Sequence, residues 1–385
     1  MNSFAEESYV RVRLSQVKTS LKIRGEGISV IDTDRKALKV SIRKSESVKI
    51  ELVSEGDSSF WIVKKDGYPQ QKYFSRFLFV RGKNLFDGRK KLTDLILLDS
   101  QKKKINIIAY VPLEIYVAGV VSGEMPWSWP EEALKAQSIA ARSYVLSQVG
   151  KRKNQLWHVE ASVADQVFSP LYEVEHPERY KKVFSAVLAT AGQVLVDKNL
   201  KVLRAFYHSD CGGKTVDSQS VWGTPEVLVS VEDADCPKNP KSSWSYEISK
   251  NELDEIFHFK KIFKREKSLK NMSFTNNKLT GRVDSVELEV TSSKVRISGV
   301  KLRELIGFDK IRSTKFRIEK SGQKFVFIGQ GYGHGVGLCQ WGTKSLAAKG
   351  IGYKNILKHY YPQMKIVSQN ESLQLPSAHY AQAKE

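Results

Sequence analysis

Between Tyr9 and Ile108 the chain is a succession of short apolar runs: VRVRL at 10–14, GISVI at 27–31, ALKVSI at 37–42, SVKIELV at 47–53, FWIV at 60–63 and FLFV at 77–80. Runs of this length, rich in β-branched and aromatic residues, several of them alternating and parted by Gly or Asp-Gly, predict strands and turns. Residues 1–108 are therefore expected to form a β-rich region. The rhythm then changes. Pro130 and the acidic pair Glu131-Glu132 suit a first helical turn, and Ala133, Ala136, Ala140 and Tyr144 recur at helical spacing up to Val149, with a stop at Gly150. A second helix is expected over Pro177–Thr190, then strands at Gln193–Val196 and Val202–Tyr207.

Residues 250–270 read as a basic amphipathic helical stretch carrying Lys260, Lys261, Lys264, Arg265, Lys267 and Lys270, a pattern that more often marks a solvated face than a nucleic-acid reader. Short strands return over 283–328, and a helix fits Thr343–Lys349 before the aromatic Tyr353–Tyr361. The fold class is α+β: a core of mixed helix and antiparallel sheet over 109–367, with a basic insert around 250–328, the β-rich region before it and a flexible polar tail at 368–385.

The 385 residues are enough for two or three structural units, and 41% hydrophobic content is enough to fill a core, so the chain is not a disordered one. Lys and Arg exceed Asp and Glu by 62 to 42, a formal +20, which points to a polyanionic partner: nucleic acid, acidic lipid or an anionic wall polymer. The clusters Arg89-Lys90-Lys91 and Lys102-Lys103-Lys104 are better explained as solvated faces. No apolar run approaches the roughly 18 residues of a membrane span. Ser3-Phe4-Ala5 before Glu6-Glu7-Ser8 reads as the remnant of a cleavage site, so export to the periplasm or cell envelope is expected.

Three segments carry chemistry. In Ser122-Gly123-Glu124-Met125-Pro126-Trp127-Ser128-Trp129-Pro130 a single carboxyl lies among apolar residues, surroundings that favour the proton-carrying form a general acid needs, and indoles beside it suit sugar faces. The competing reading is structural, with Glu124 serving a helix start and the tryptophans serving the core. In Tyr207-His208-Ser209-Asp210-Cys211-Gly212-Gly213 the His, Ser and Asp are sequence neighbours that point to opposite sides of an extended segment, which excludes a triad among themselves. The third segment, 329–342, has glycines at 329, 331, 333, 335 and 337, which in an extended chain leaves one face bare and puts Tyr332, His334 and Val336 on the other. It is no phosphate loop, because G-x-x-x-x-G-T-K at 337–344 lacks Lys directly after the second Gly. A peptidase pair of His334 and Cys339 has no supporting signature. The three cysteines, Cys211, Cys236 and Cys339, have no C-x-x-C spacing; a Cys211–Cys236 disulfide is preferred over zinc held by these residues with His208.

Together these segments resemble the stage II sporulation protein D family, also called the amidase-enhancer family. The matching stretches are VPLEIYVAGVVSGEMP at 111–126, EALKAQSIAARSY at 132–144, YHSDCGG at 207–213, VWG at 221–223, GYGHGVGLCQWG at 331–342 and YKNILKHYYP at 353–362. The resemblance implies a peptidoglycan lytic transglycosylase acting on glycan strands stripped of stem peptides, with Glu124 as the catalytic acid. It further implies that Gln137, Arg142, Tyr144, His208, Ser209, Tyr332, His334 and Gln340 contact substrate, and the indole of Trp127 joins them from the residue reading. Arg142, inside a helix, has the alternative role of tying down a buried carbonyl.

Some relatives hold zinc with Cys and His after the main helix, but 157–173 offers only His158, with Phe168 and Leu171 where such cysteines are expected. No metal and no other cofactor is therefore carried over. Cys339 stands where Ser is common in the family, and Asp210 where a small residue is usual. The expected partners are peptidoglycan glycan strands and a cell-wall amidase, with no nucleic-acid motif and no transmembrane segment. A non-catalytic enhancer of an N-acetylmuramoyl-L-alanine amidase is the second reading, and a two-carboxylate muramidase pairing Glu124 with Asp210 or Asp217 the third.

Overall fold

Alternating burial along the first apolar runs shows how they are used: over 47–53, and on either side of a break at 24–27 over 20–23 and 28–32, buried residues recur at every second position, so one face meets a core while the other meets solvent. The computed structural model describes residues 9–17, 19–32, 47–56, 58–65, 69–88, 90–101, 103–170, 176–223, 228–234, 236 and 239–368. The expected strand at 37–42, the cleavage-site residues 3–5, Arg89, Lys102, Leu171 and the tail after 368 lie outside the described residues. The chain divides into two compact units: Met1–Trp129 with Gln137–Arg204 and Val367–Glu385, and Pro130–Ala136 with Ala205–Ile366.

In the first unit the strands are β1 (Tyr9–Val17), β2 (Ser20–Asp32), β3 (Ser47–Glu55), β4 (Ser58–Lys65), β5 (Gln71–Tyr73), β6 (Phe77–Asp87), β7 (Lys90–Lys91), β8 (Leu95–Gln101) and β9 (Lys104–Pro112). They are followed by α1 (Leu113–Glu124), α2 (Glu131–Lys151, which belongs to this unit from Gln137 onward), β10 (Val159–Glu160), α3 (Pro177–Leu188) and β11 (Gln193–Val196). One sheet takes the order β10-β1-β9-β8-β6-β2-β3-β4-β5, with β7 on β6. Its pairs are antiparallel except β1 with β10. Five of the expected runs fall inside β1, β2, β3, β4 and β6.

Helix α1 packs on β1, β9 and α3 and is buried over Tyr116–Ser122. It was not expected, because a helix that is apolar on every side has no polar face and so no period to read. Helix α2 appears where expected but runs through Gly150 to Lys151, glycine being tolerated in a last turn. Of the strand expected at 202–207, Val202 makes only a bridge to Val196, and pairing resumes at Tyr207.

The second unit contains β12 (Tyr207–His208), α4 (Ser218–Trp222), β13 (Ser243–Ser249), α5 (Lys250–Phe259), β14 (Leu269–Asn276), β15 (Val283–Val290) and β16 (Ser293–Ser298). It continues with α6 (Gly299–Ile306), β17 (Phe316–Ser321), β18 (Lys324–Gln330), β19 (Leu338–Cys339), α7 (Gln340–Ala348) and α8 (Tyr353–Tyr360). Two three-stranded antiparallel sheets, β13-β18-β17 and β14-β15-β16, share a core of Leu253, Phe257, Val286, Leu288, Leu302, Phe325 and Phe327. The basic stretch is thus not one helix. A capping box between Ser249 and Glu252 starts α5, but the helix ends at Phe259, Lys261 takes a left-handed φ of 56°, and Leu269 already belongs to β14. Lys260, Lys261, Lys264 and Arg265 are exposed. Helix α7 begins three residues earlier than expected.

Candidate functional site

Glu124 is the last residue of α1, not the opening of a helix, and a linker separates it from α2. The chain turns through it by burying Met125 and Trp129, which leaves Trp127 38% exposed. Two glycines one helical turn apart, Gly119 and Gly123, let the segment Gln166–Ser169 cross the helix in close contact. A Cβ on Gly119 would stand 2.4 Å from the Phe168 ring, and one on Gly123 2.9 Å from the Val167 carbonyl oxygen. Ser169 N–H donates to the Gly119 carbonyl at 3.3 Å. The same approach brings Val167 N–H to 2.8 Å from Glu124 Oε1. Glu124 is half-buried. Beneath it Tyr116 stacks on Phe168 with centroids 5.2 Å apart and donates to Gln166 Oε1 at 2.9 Å; its hydroxyl pKa is raised well above the ordinary value, chiefly by burial.

The expected contact residues of α2 are internal. Arg142 is fully buried and forked onto Glu114, Nε to Oε1 at 2.9 Å and Nη2 to Oε2 at 2.5 Å, with Nη1 donating to the Gln193 carbonyl at 3.1 Å. Its placement matches the carbonyl-tying role. Tyr144 donates to Asp165 Oδ1 at 3.1 Å and accepts from Arg204 at 3.2 Å, and burial pushes its pKa to about 12. Gln137 is fully buried, and its side-chain amide meets no hydrogen-bonding partner among the described residues. His158 is held by Arg11, whose Nε lies 3.1 Å from His158 Nε2, and Phe168 is taken up by Tyr116.

The glycine segment is not an extended strand. Gly331, Gly333, Gly335 and Gly337 all have positive φ, and the bare side turns inward. At Gly337 a Cβ would stand 2.1 Å from the Phe206 carbonyl oxygen, so only glycine lets the segment close on β12. There β19 pairs in parallel with β12, Tyr207 with Leu338 and His208 with Cys339. His208 is buried, its Nδ1 lies 3.1 Å from the Val336 carbonyl oxygen, and its Nε2 has no hydrogen-bond partner among the described residues; burial and then Arg282 hold its pKa down to about 3. His334, half-buried, accepts from Val336 N–H at Nδ1 at 3.0 Å and lies 5.5 Å from the His208 ring and 4.9 Å from Trp222. Tyr332 is 44% exposed and Trp222 38%, so this unit presents an aromatic surface around His334. Ser209 accepts from Trp341 N–H through its carbonyl at 3.1 Å, and Gln340 is buried at the start of α7.

Asp210 is fully buried and accepts from Gly212 N–H at 2.7 Å, from Cys236 Sγ at 2.9 Å and from Asn239 Nδ2. Asp217 caps α4 by accepting from Ser220 N–H at 2.7 Å. The expected Cys211–Cys236 disulfide is not what the fold builds. All three cysteines are free and buried, because the β12–β19 pairing brings Cys339 to the other two. Their sulfurs and a carboxylate oxygen of Asp233 lie within 4.8 Å of one another. Asp233 and the Val167 amide carry no motif, which is why sequence reasoning missed them; the one signal toward Val167 was the four-residue spacing of Gly119 and Gly123.

Residues 101–196 match the family model described as Stage II sporulation protein, and residues 193–337 match a domain of unknown function. An uncharacterized protein of Brachyspira hyodysenteriae is 30% identical over 266 residues, 69% of each chain. The stage II sporulation protein D of Bacillus subtilis is 29% identical over 270 residues, 66% of this chain and 74% of the relative. The amidase enhancer of Bacillus subtilis is 29% identical over 297 residues, which cover 65% of this chain but only 40% of that protein.

Proposed function

Because the chain belongs to the stage II sporulation protein D and amidase enhancer family, we propose that it is an exported cell-wall protein that cuts peptidoglycan glycan strands as a lytic transglycosylase. The observation that carries this reading is the Glu124 carboxyl group. One of its oxygens is oriented by the Val167 amide at 2.8 Å, and the residue stays half-exposed in a segment that presents Trp127 to solvent. A neutral Glu124 donates its proton to the glycosidic oxygen that follows N-acetylmuramic acid. The carboxylate left behind takes the proton from the 6-hydroxyl of the same sugar, whose oxygen bonds to the anomeric carbon and closes the 1,6-anhydro ring. The nucleophile belongs to the substrate, so one protein carboxyl suffices, unlike the pair that hydrolysis needs. Asp210 and Asp217, the residues a muramidase would draw on, are engaged in holding their own turns.

The formal charge of +20 suits attraction to an anionic wall or envelope around a neutral glycan. Indole and phenol faces at Trp127, Trp222 and Tyr332 suit stacking on sugar rings. Digestion of purified sacculi, with and without prior amidase treatment, and mass analysis of the products tests the reading. Anhydro-muramyl ends should appear and fall by about 10²- to 10⁴-fold in Glu124→Gln. Reducing ends instead would indicate a muramidase. The second reading, favoured by the similarity to the amidase enhancer, is a non-catalytic stimulator of a cell-wall amidase. It predicts binding to sacculi and faster amidase turnover, with no glycan cleavage and no effect of Glu124→Gln.

A further inference from the structure

The convergence of Cys211, Asp233, Cys236 and Cys339 plays no part in the chemistry assigned to Glu124. Three separate segments build it. Cys211 follows β12; Cys339 lies in β19, paired to β12; Asp233 and Cys236 share a turn in which Cys236 N–H donates to the Asp233 carbonyl at 3.2 Å. The closest approaches are Cys236 Sγ to Cys339 Sγ at 3.4 Å and Cys211 Sγ to Asp233 Oδ2 at 3.3 Å. A tetrahedral zinc with bonds of about 2.3 Å to sulfur and 2.0–2.2 Å to oxygen has edges of roughly 3.5–3.8 Å. The cluster matches this in size and donor number. A disulfide, by contrast, joins two sulfurs at about 2.05 Å and leaves a third thiol and a carboxylate over.

The surroundings fit a negative metal–thiolate centre. Cys339 Sγ accepts from Cys211 N–H and from Gly342 N–H, each at 3.4 Å, the second at the N-terminus of α7, so two amides orient this sulfur. Tyr360 Oη donates to Asp233 Oδ2 at 2.8 Å and so fixes the carboxylate. A Cβ on Gly342 would fall 2.1 Å from Tyr360 Oη and 2.2 Å from Asp233 Oδ2, so the position admits no side chain. Arg282 is buried beside the cluster and donates to the Cys211 carbonyl at 2.8 Å, yet among the described residues it has no carboxylate partner. Its charge is felt by the Asp210 carboxyl and by the three cysteines, so it lies in a region suited to negative groups. Zinc with three thiolates and one carboxylate carries two net negative charges, which this guanidinium would face.

We propose that Cys211, Cys236, Cys339 and Asp233 form a closed, structural zinc site that ties β12, β19 and the 233–236 turn together. The donor set, three soft sulfurs and one oxygen in a tetrahedral arrangement, selects zinc over harder cations. The full chain purified without chelator is expected to contain one zinc per molecule by plasma mass spectrometry. Cobalt(II) added to chelator-stripped protein should give thiolate-to-cobalt charge-transfer bands and the strong visible bands of a tetrahedral site. Cys339→Ser should lose both signals.

Cysteine variants are liable to misfold, so Tyr360→Phe provides an independent reading. It removes only the hydroxyl that orients Asp233, and it should weaken zinc affinity by about 10–100-fold with the fold retained by circular dichroism. Absence of stoichiometric metal with no cobalt spectrum overturns the site. So does an as-purified mass lower by two hydrogens, which would report a disulfide. Stoichiometric iron in place of zinc, or unchanged affinity in a folded Tyr360→Phe, overturns the assignment as made.

Discussion

At Glu124 the orienting contact comes from a backbone amide, and glycine is what lets that amide approach. The Val167 N–H reaches the carboxylate at 2.8 Å because Gly123 leaves room for the Val167 carbonyl, which a Cβ would meet at 2.9 Å. Gly123→Ala is therefore expected to push the crossing segment away with Glu124 itself intact. A misplacement of this kind lowers turnover by about 10²-fold, and the added methyl costs about 1–3 kcal/mol of stability. Initial rates of product release compared with thermal melts check both, and an unchanged rate would remove Val167 from the explanation of the site. The apolar neighbours Met125, Trp127 and Trp129 by themselves left a structural reading of Glu124 open, and it was the resemblance of the surrounding segment to the family that singled it out. Val167 was not legible, because a main-chain donor has no residue-type signature.

Among the elements, α1 and α2 show what local pattern can and cannot carry. Helix α2 was legible from its acidic first turn and alanine spacing; α1 was not, its middle from Tyr116 to Ser122 being buried on every side. Arg142 on α2 joins the two by forking onto Glu114 in the first turn of α1 and holding the Gln193 carbonyl at the start of β11. Arg142→Leu should destabilise the protein by about 3 kcal/mol, the low end for a broken buried pair because the Glu114 side chain is 29% exposed. Denaturant midpoints measure this, and Arg142→Lys, which keeps charge but not the fork, should fall between. A loss of activity with no shift in midpoint would instead place Arg142 at the substrate. The glycine segment teaches the complementary point. Its period of two suggested an extended strand, whereas four positive φ values fold it onto β12 with the bare side inward.

For the molecule as a whole, acid should be destabilising in a way that one residue reports. His158 is buried against Arg11, and burial followed by that neighbouring charge holds its pKa down to about 3. An unfolded histidine takes up its proton near pH 6.5, so below that pH the unfolded state binds more protons than the folded one. Stability is then lost progressively as pH falls from about 6.5 toward 3. The His158 share between pH 7 and pH 5 is about 2 kcal/mol. His158→Asn should be less stable than the parent at pH 7 but lose correspondingly less on acidification, read from melting temperatures across that range. Equal slopes in the two proteins would show that His158 titrates normally in the fold.

What the amino-acid sequence determined by itself was of short range or carried by rare residues in fixed order. It held the β-rich opening through its strand periodicity, α2 through its first turn and spacing, and the family through six short segments in fixed order. Only the tertiary structure decided which sulfur meets which. Residues 211, 233, 236 and 339 are joined by parallel pairing of β12 with β19 across more than a hundred residues, and such pairing leaves no local trace. It also turned the bare glycine side inward and engaged Arg142 with Glu114, because close approach and charge pairing depend on distances that only the folded chain defines.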